Sequence, residues 1–107
     1  MGKLSFRTSA DKQGRIEAIE IGGLLVLETA LELKNELVGI ADRLNIKVKI
    51  TIFELEEMDL SGVQLLVAFI RHLDNMKIEY QINWNMDEEQ MALFVNVGIG
   101  NELFMNK

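Results

Sequence analysis

Four short segments of the chain alternate apolar and polar residues, as β-strands do when they bury one face. They are residues 4–8, 15–21, 47–53 and 77–84. In the third segment every second residue is apolar, as Val48, Ile50 and Ile52 show. The polar stretch between the first two segments contains Gly14 and turn-forming residues, so these strands are predicted to form a hairpin. The pair Gly22-Gly23 is predicted to end or bend the second strand.

Three other segments have apolar residues three and four positions apart, which is the spacing of one helix face. Each opens with a side chain that can accept hydrogen bonds from backbone amides, followed three residues later by Glu or Gln. This pattern predicts Thr29, Ser61 and Asp87 as helix N-caps. The second helix, ending near Asp74, is apolar on more than one side and is expected to pack against two neighbours. A short last helix is predicted over residues 101–105.

Strands and helices alternate along most of the chain, which is typical of an α/β fold with right-handed crossovers. The sequence predicts a mostly parallel, mixed sheet of four to five strands with interleaved helices and an N-terminal antiparallel hairpin. The length of 107 residues and the absence of Pro predict a single domain over residues 1–107. Functional residues in such sheets lie at the carboxyl ends of the strands, which directs attention to the predicted loop over residues 54–61.

Composition argues against several functional classes. The chain has no Cys, so disulfides and thiolate metal sites are excluded. The chain has 11 Lys and Arg residues and 17 Asp and Glu residues, which gives a net charge of −6. This negative charge disfavours binding to nucleic acid. No apolar stretch approaches the roughly 20 residues of a membrane span, and nothing resembles a signal peptide. We therefore expect a cytoplasmic protein without direct membrane insertion.

One segment of the chain reads Met58-Asp59-Leu60-Ser61-Gly62-Val63-Gln64-Leu65-Leu66-Val67-Ala68. It resembles the signature loop and helix of STAS domains, the sulfate-transporter and anti-sigma factor antagonist family. The family pattern is Asp, a small or apolar residue, Ser or Thr, Gly, and then an apolar helix. The resemblance extends, in the family's order, over residues 19–44, 47–53, 77–84 and 94–99. It implies a STAS-like fold and a bacterial regulatory module for signal transduction and transcription regulation, not an enzyme.

The resemblance also assigns roles within the motif. Ser61 corresponds to the phosphoacceptor for a partner kinase, and Asp59 corresponds to the acidic residue of the pattern. The implied partner-binding surface comprises Asp59, Leu60, Ser61, Gly62, Val63 and Gln64. The implied partner is an anti-sigma factor, a serine kinase-like protein or another signalling protein, no cofactor is implied, and homodimer formation stays open. Thr51 departs from the pattern, because members often have Asp at that position.

Local chemistry alone leaves two interpretations of Ser61 open. A phosphate at a helix N-terminus is favoured by the helix dipole and by free amides, whereas Glu56, Glu57 and Asp59 would repel it. Phosphorylation would then change the electrostatics of docking and act as a switch. In the other interpretation, Ser61 is only an N-cap worth about 1 kcal/mol.

The motif also resembles the variety of STAS domain found near bacterial chemotaxis systems. This leaves a second function open, that of a non-phosphorylated subunit in a chemotaxis-type signalling, transporter or lipid-trafficking complex.

Other chemistries are less favoured by the sequence. A Mg²⁺ or Ca²⁺ site could use the carboxylates of Glu54, Glu56, Glu57 and Asp59. Along an extended segment, however, Glu54 and Glu56 share a face and Glu57 points away from it. A receiver-like role, with Asp59 accepting phosphate, needs an acidic pair after the first strand, and residues 21–23 supply none. His72 is the only His and has no nucleophile at a useful spacing, so no catalytic residue is predicted.

Overall fold

The computed structural model describes residues 3–85 and 87–96. Its elements, in chain order, are β1 (Leu4–Ala10), β2 (Ile16–Leu25), α1 (Leu27–Ile40), β3 (Leu44–Met58), α2 (Leu60–Asn75), β4 (Glu79–Trp84) and α3 (Glu88–Asn96). Within the described residues, one four-stranded sheet has the order β1-β2-β3-β4. Strand β1 is antiparallel to β2, and the other neighbours are parallel. The predicted mixed α/β sheet with an N-terminal hairpin is therefore confirmed.

The hydrophobic core lies between the sheet and helices α1 and α2. The alternating residues Val48, Ile50 and Ile52 of β3 are buried in it, as their spacing predicted. Helix α2 packs against α1, against β2, β3 and β4, and against α3, which explains why its apolar residues cover more than one stripe. Its fully or nearly buried side chains are Val63, Leu66, Val67, Phe69, Ile70 and Leu73.

Helix α1 begins three residues earlier than the sequence predicted, so the prediction of Thr29 as its N-cap is wrong. Val26 occupies the N-cap position, and Thr29 lies in the first turn. The Thr29 hydroxyl accepts a hydrogen bond from the Val26 amide at 3.1 Å and donates one to the Leu24 carbonyl at 2.8 Å. The side chain therefore supports the cap from inside the helix instead of preceding it.

Strands β2 and β3 are both longer than predicted. The glycine pair does not end β2, although the pairing with β3 is irregular around Gly23. The acidic segment after Phe53, predicted as a loop, continues β3, and Met58 pairs with Leu25. Glu54 has a φ of 47° at this irregularity, which lets the pairing resume beyond it. The extension carries both strands to the edge at which α1 and α2 begin.

The start of α3 follows the predicted capping pattern. The Gln90 amide donates to Asp87 Oδ1 at 2.8 Å, and the Asp87 amide donates to Gln90 Oε1 at 3.1 Å. The helix predicted over residues 101–105 and the glycines Gly98 and Gly100 lie outside the described residues. Among the helices that are described, none is both long enough and apolar enough to span a bilayer.

Gly62, in the first turn of α2, permits a close approach between this helix and β2. A Cβ atom at position 62 would overlap the carbonyl oxygen of Leu25 and would crowd the Leu25 Cβ. Gly39, near the end of α1, is exposed, and a Cβ atom there would meet no atom within 4 Å. The two positions therefore offer a matched pair of substitutions.

Gly62→Ala should lower the free energy of unfolding by about 1–3 kcal/mol, because helix and strand must separate to accept the methyl group. Gly39→Ala should instead raise it by about 0.5–1 kcal/mol, because Ala favours a helix interior. Urea denaturation of both variants measures these changes. Equal effects at the two positions would contradict the close packing of α2 on β2.

Candidate functional site

The candidate site lies where β2 and β3 lead into the N-terminal ends of α1 and α2. Because the two strands are parallel neighbours, the turns that follow them lie side by side. The Asp59 amide donates a hydrogen bond to the Leu25 carbonyl at 3.1 Å, which joins the two turns directly. The N-terminal ends of both helices therefore lie at one edge of the sheet.

A single carboxylate caps both helices. Asp59 Oδ1 accepts hydrogen bonds from the amides of Ser61 at 2.9 Å and Gly62 at 3.4 Å, in the first turn of α2. Its other oxygen, Oδ2, accepts a hydrogen bond from the amide of Leu27, the first residue of α1, at 3.0 Å. Amides at a helix start have no partner within the helix, and the positive end of the helix dipole attracts an anion. Asp59 thus bridges the two helix starts.

Ser61 is therefore not the N-cap of α2, and this prediction is corrected by the structure. Asp59 takes that position, and Ser61 is the second residue of the helix. The Ser61 side chain is half-buried, and its hydroxyl has no hydrogen-bond partner among the described residues. The hydroxyl consequently stands in the first turn of α2, close to the Asp59 carboxylate, without a capping role.

The remaining residues of the predicted partner-binding surface differ in their accessibility. Leu60 is 47% exposed, and Gln64 is exposed one turn further along α2. Gly62 is buried against Leu25, and Val63 is fully buried in the core. Gly62 and Val63 therefore support the surface from below, and its accessible side chains are those at positions 60, 61 and 64.

The acidic residues before the motif remain near this edge. Glu54, Glu56 and Glu57 are exposed on the last part of β3. Among residues 3–85 and 87–96, no group of three His, Cys, Asp or Glu side chains is placed to hold a metal ion. These carboxylates instead give the edge a negative charge.

Two residues singled out from the sequence lie elsewhere. His72 is half-buried in the last turn of α2, where Nε2 is 3.2 Å from the Ala41 carbonyl oxygen and the ring stacks on Phe69. Thr51 lies within β3 and pairs with Asn83 and Glu20 on the neighbouring strands. The structure therefore does not bring either residue into the first turn of α2.

The sequence analysis did not identify a group of exposed apolar residues on α1. Leu27 and Leu31 are each 69% exposed, and Val38 is 65% exposed. The apolar pattern used to predict α1 selected its buried face, which contains Leu33 and Leu37. The missed signal was a second set of apolar residues on the same helix, spaced four and seven positions apart.

Asp59→Asn should lower the free energy of unfolding by about 1 kcal/mol, and Asp59→Ala by about 2–3 kcal/mol. An amide oxygen can still cap α2, but the amide nitrogen cannot accept a hydrogen bond from Leu27. Alanine loses the cap of α2 and also the hydrogen bond from the first amide of α1. Asp87→Ala, which removes the cap of α3 alone, is the matched control and should cost about 1 kcal/mol. Urea denaturation that gives the same loss for Asp59→Ala and Asp87→Ala would contradict a bridging role.

Comparison with known proteins adds information on the fold. No model of a known protein family matches the chain, and no curated protein matches its sequence. The anti-sigma factor antagonist SpoIIAA in its unphosphorylated form is similar in structure, with a TM-score of 0.67 and 18% sequence identity, over 90% of this chain and 83% of that chain. The Bacillus cell fate determinant SpoIIAA in its phosphorylated form gives a TM-score of 0.62 and 19% sequence identity, over 90% of this chain and 86% of that chain.

These similarities extend over 90% of the chain. At such low sequence identity they establish the architecture, and they agree with the mixed sheet and interleaved helices described above. The chain therefore has the STAS fold, as the resemblance of its sequence motif implied.

Proposed function

We propose that this protein is a regulatory binding module, similar to anti-sigma factor antagonists, and not an enzyme. It binds a kinase-like or other signalling protein through the edge formed by residues 59–64 and through the exposed part of α2. Phosphorylation of Ser61 switches this binding off. The observation that carries the proposal is the position of Ser61 in the first turn of α2, next to Asp59. Its side chain is half-buried, and its hydroxyl has no hydrogen-bond partner within residues 3–85 and 87–96.

The position of Ser61 explains how a phosphate would act. A phosphorylated Ser carries about −1.5 to −2 charges at pH 7 and would attract the amides at the start of α2. The amides of Ser61 and Gly62 already donate to the Asp59 carboxylate, however. Phosphate and carboxylate would therefore repel each other at one helix end, and the negative charge would extend over an edge that a partner contacts.

The structural neighbours support a switch of this kind. A protein with the same fold, SpoIIAA, exists in an unphosphorylated and in a phosphorylated form, and it is an anti-sigma factor antagonist. The motif of residues 58–68 places a Ser at the start of the corresponding helix in this chain. We therefore infer that Ser61 is the residue whose modification distinguishes two binding states.

The intact protein isolated from its native cells should carry one phosphate on Ser61 under some growth conditions, because its hydroxyl lies in an accessible first turn. Mass spectrometry of the intact chain and of its peptides measures this. Ser61→Ala should abolish the added mass, and Ser9→Ala, at an exposed serine of β1, should not. A chain that is unmodified in every growth condition would contradict the switch, whereas a partner that still co-purifies would identify a constitutively binding subunit.

Ser61→Asp should weaken binding to the co-purifying protein partner by roughly 5- to 150-fold, which corresponds to about 1–3 kcal/mol. The Asp59 carboxylate would repel the added carboxylate, as it would repel a phosphate. The added carboxylate would also place a negative charge at the edge that the partner contacts. Titration calorimetry with the purified partner measures the change, and Ser9→Asp on β1 serves as the charge-matched control. An affinity of Ser61→Asp that equals that of the wild type would rule out this mechanism.

A further inference from the structure

Helices α1 and α2 each carry a second row of residues that is distinct from their buried faces. On α1 the row is Leu27, Leu31, Lys34 and Val38, and it continues to Ala41 directly after the helix. On α2 the row is Ser61, Leu65, Ala68 and His72. In both rows the spacing alternates between four and three residues. This is the spacing at which helices pack side by side with their side chains interlocked, as in a coiled coil. We call the surface formed by these two rows the α1–α2 seam.

The later parts of the two rows, from Lys34 on α1 and Leu65 on α2, face each other across an open groove. A cavity of about 280 Å³ lies along its lower part, and its floor includes Leu37 and Phe69. The cavity is lined from both helices, with Val38 on one side and Leu65 and Ala68 on the other. Beyond the cavity the rows continue to Leu27 and Ser61, at the helix starts. The row on α1 spans about 20 Å, given the rise of about 1.5 Å per helical residue.

The exposure of this surface requires a physical explanation. Leu27, Leu31 and Val38 are each about two-thirds exposed. Large apolar residues that are exposed on a protein surface usually occur singly and not in such a group. Their regular spacing along one helix makes them a continuous strip instead. A third helix laid in the groove would bury the strip and complete a three-helix arrangement.

Lys34 determines which charge a partner of the seam must carry. Lys34 lies between Leu31 and Val38 in the α1 row, and it lines the cavity. It makes no ion pair with any described residue. A single polar residue within an apolar row fixes the register of helix packing, because it must meet a matching group on the partner. His72, the other polar residue lining the cavity, is already engaged with the Ala41 carbonyl. A partner that fits the seam therefore needs one carboxylate opposite Lys34.

We propose that the α1–α2 seam receives an amphipathic α-helix of a partner protein, whose apolar row contains an Asp or Glu that pairs with Lys34. This inference extends the proposed binding function by naming the chemistry of the partner. The α2 row of the seam begins at Ser61, so a phosphate there would stand at one end of the proposed contact surface. The partner helix would have to desolvate that charge, which gives the switch a second physical cause.

The test uses the purified, full-length, unphosphorylated chain and a displayed library of helical peptides of about 15 residues, the length at which isolated helices become stable. The selected peptides should share apolar residues spaced three and four apart with one acidic residue among them. The double variant Leu31→Glu/Val38→Glu should weaken their binding about tenfold or more, since two carboxylates would be buried against apolar groups. Ile46→Glu, at an 81% exposed position of β3, should leave it unchanged.

Charge exchange tests the register. Lys34→Glu should weaken binding of the selected peptides about 3- to 10-fold, and replacing their acidic residue with Lys should restore it. Lys49→Glu, on β3, is the charge-matched control and should have no effect. Circular dichroism melting checks that each variant remains folded, as expected from the exposure of the substituted side chains.

The seam proposal is overturned if no peptide is enriched, or if the selected peptides bind the double variant as tightly as the wild type. The partner charge is overturned if Lys34→Glu leaves binding unchanged. Neither result depends on a native partner or on phosphorylation. Failure of the seam is therefore distinguishable from failure of the Ser61 switch.

Discussion

The bond from the Leu27 amide to the Asp59 carboxylate is the constraint on which the rest of this site depends. It joins residues that are 32 positions apart in the chain and so links the starts of two helices, and the same carboxylate caps the second of them. The link requires α2 to lie close to β2, which the missing side chain of Gly62 permits. The extended pairing of β2 and β3 in turn brings the two helix starts together. The position of Ser61 follows from these contacts, and not from a capping role of its own.

Periodicity was sufficient to predict most of the fold. The four strands, three helices and the hairpin follow from local spacing of apolar residues, and α2 was correctly expected to pack on two sides. The reciprocal cap of α3 was also predicted, because Asp87 and Gln90 are close in the sequence. These features share one property, which is that neighbouring residues in the chain determine them.

The wrong predictions occur together at the edge that holds the site. A capping pattern at Ser61 was visible in the sequence, but the competing cap at Asp59 is stronger because its carboxylate also satisfies α1. Thr29 was misassigned for the same reason, since a distant side chain allows α1 to begin earlier. The extension of β3 depends on its neighbour β2, which no local pattern reveals. The motif correctly located Ser61 near a helix start. The burial of Gly62 and Val63 depends on contacts with β2 and the core, and it became visible only in the three-dimensional structure.

The order of the strands in the sheet has a consequence for how the chain assembles. In the described residues each strand lies beside the strand that precedes it in the sequence, so none has to be inserted between two others already paired. Pairing with the preceding strand closes a shorter loop than pairing with a more distant strand would, and so has a smaller entropic cost. The sheet can therefore grow from the hairpin outward while the chain is still being synthesised, one strand and helix at a time.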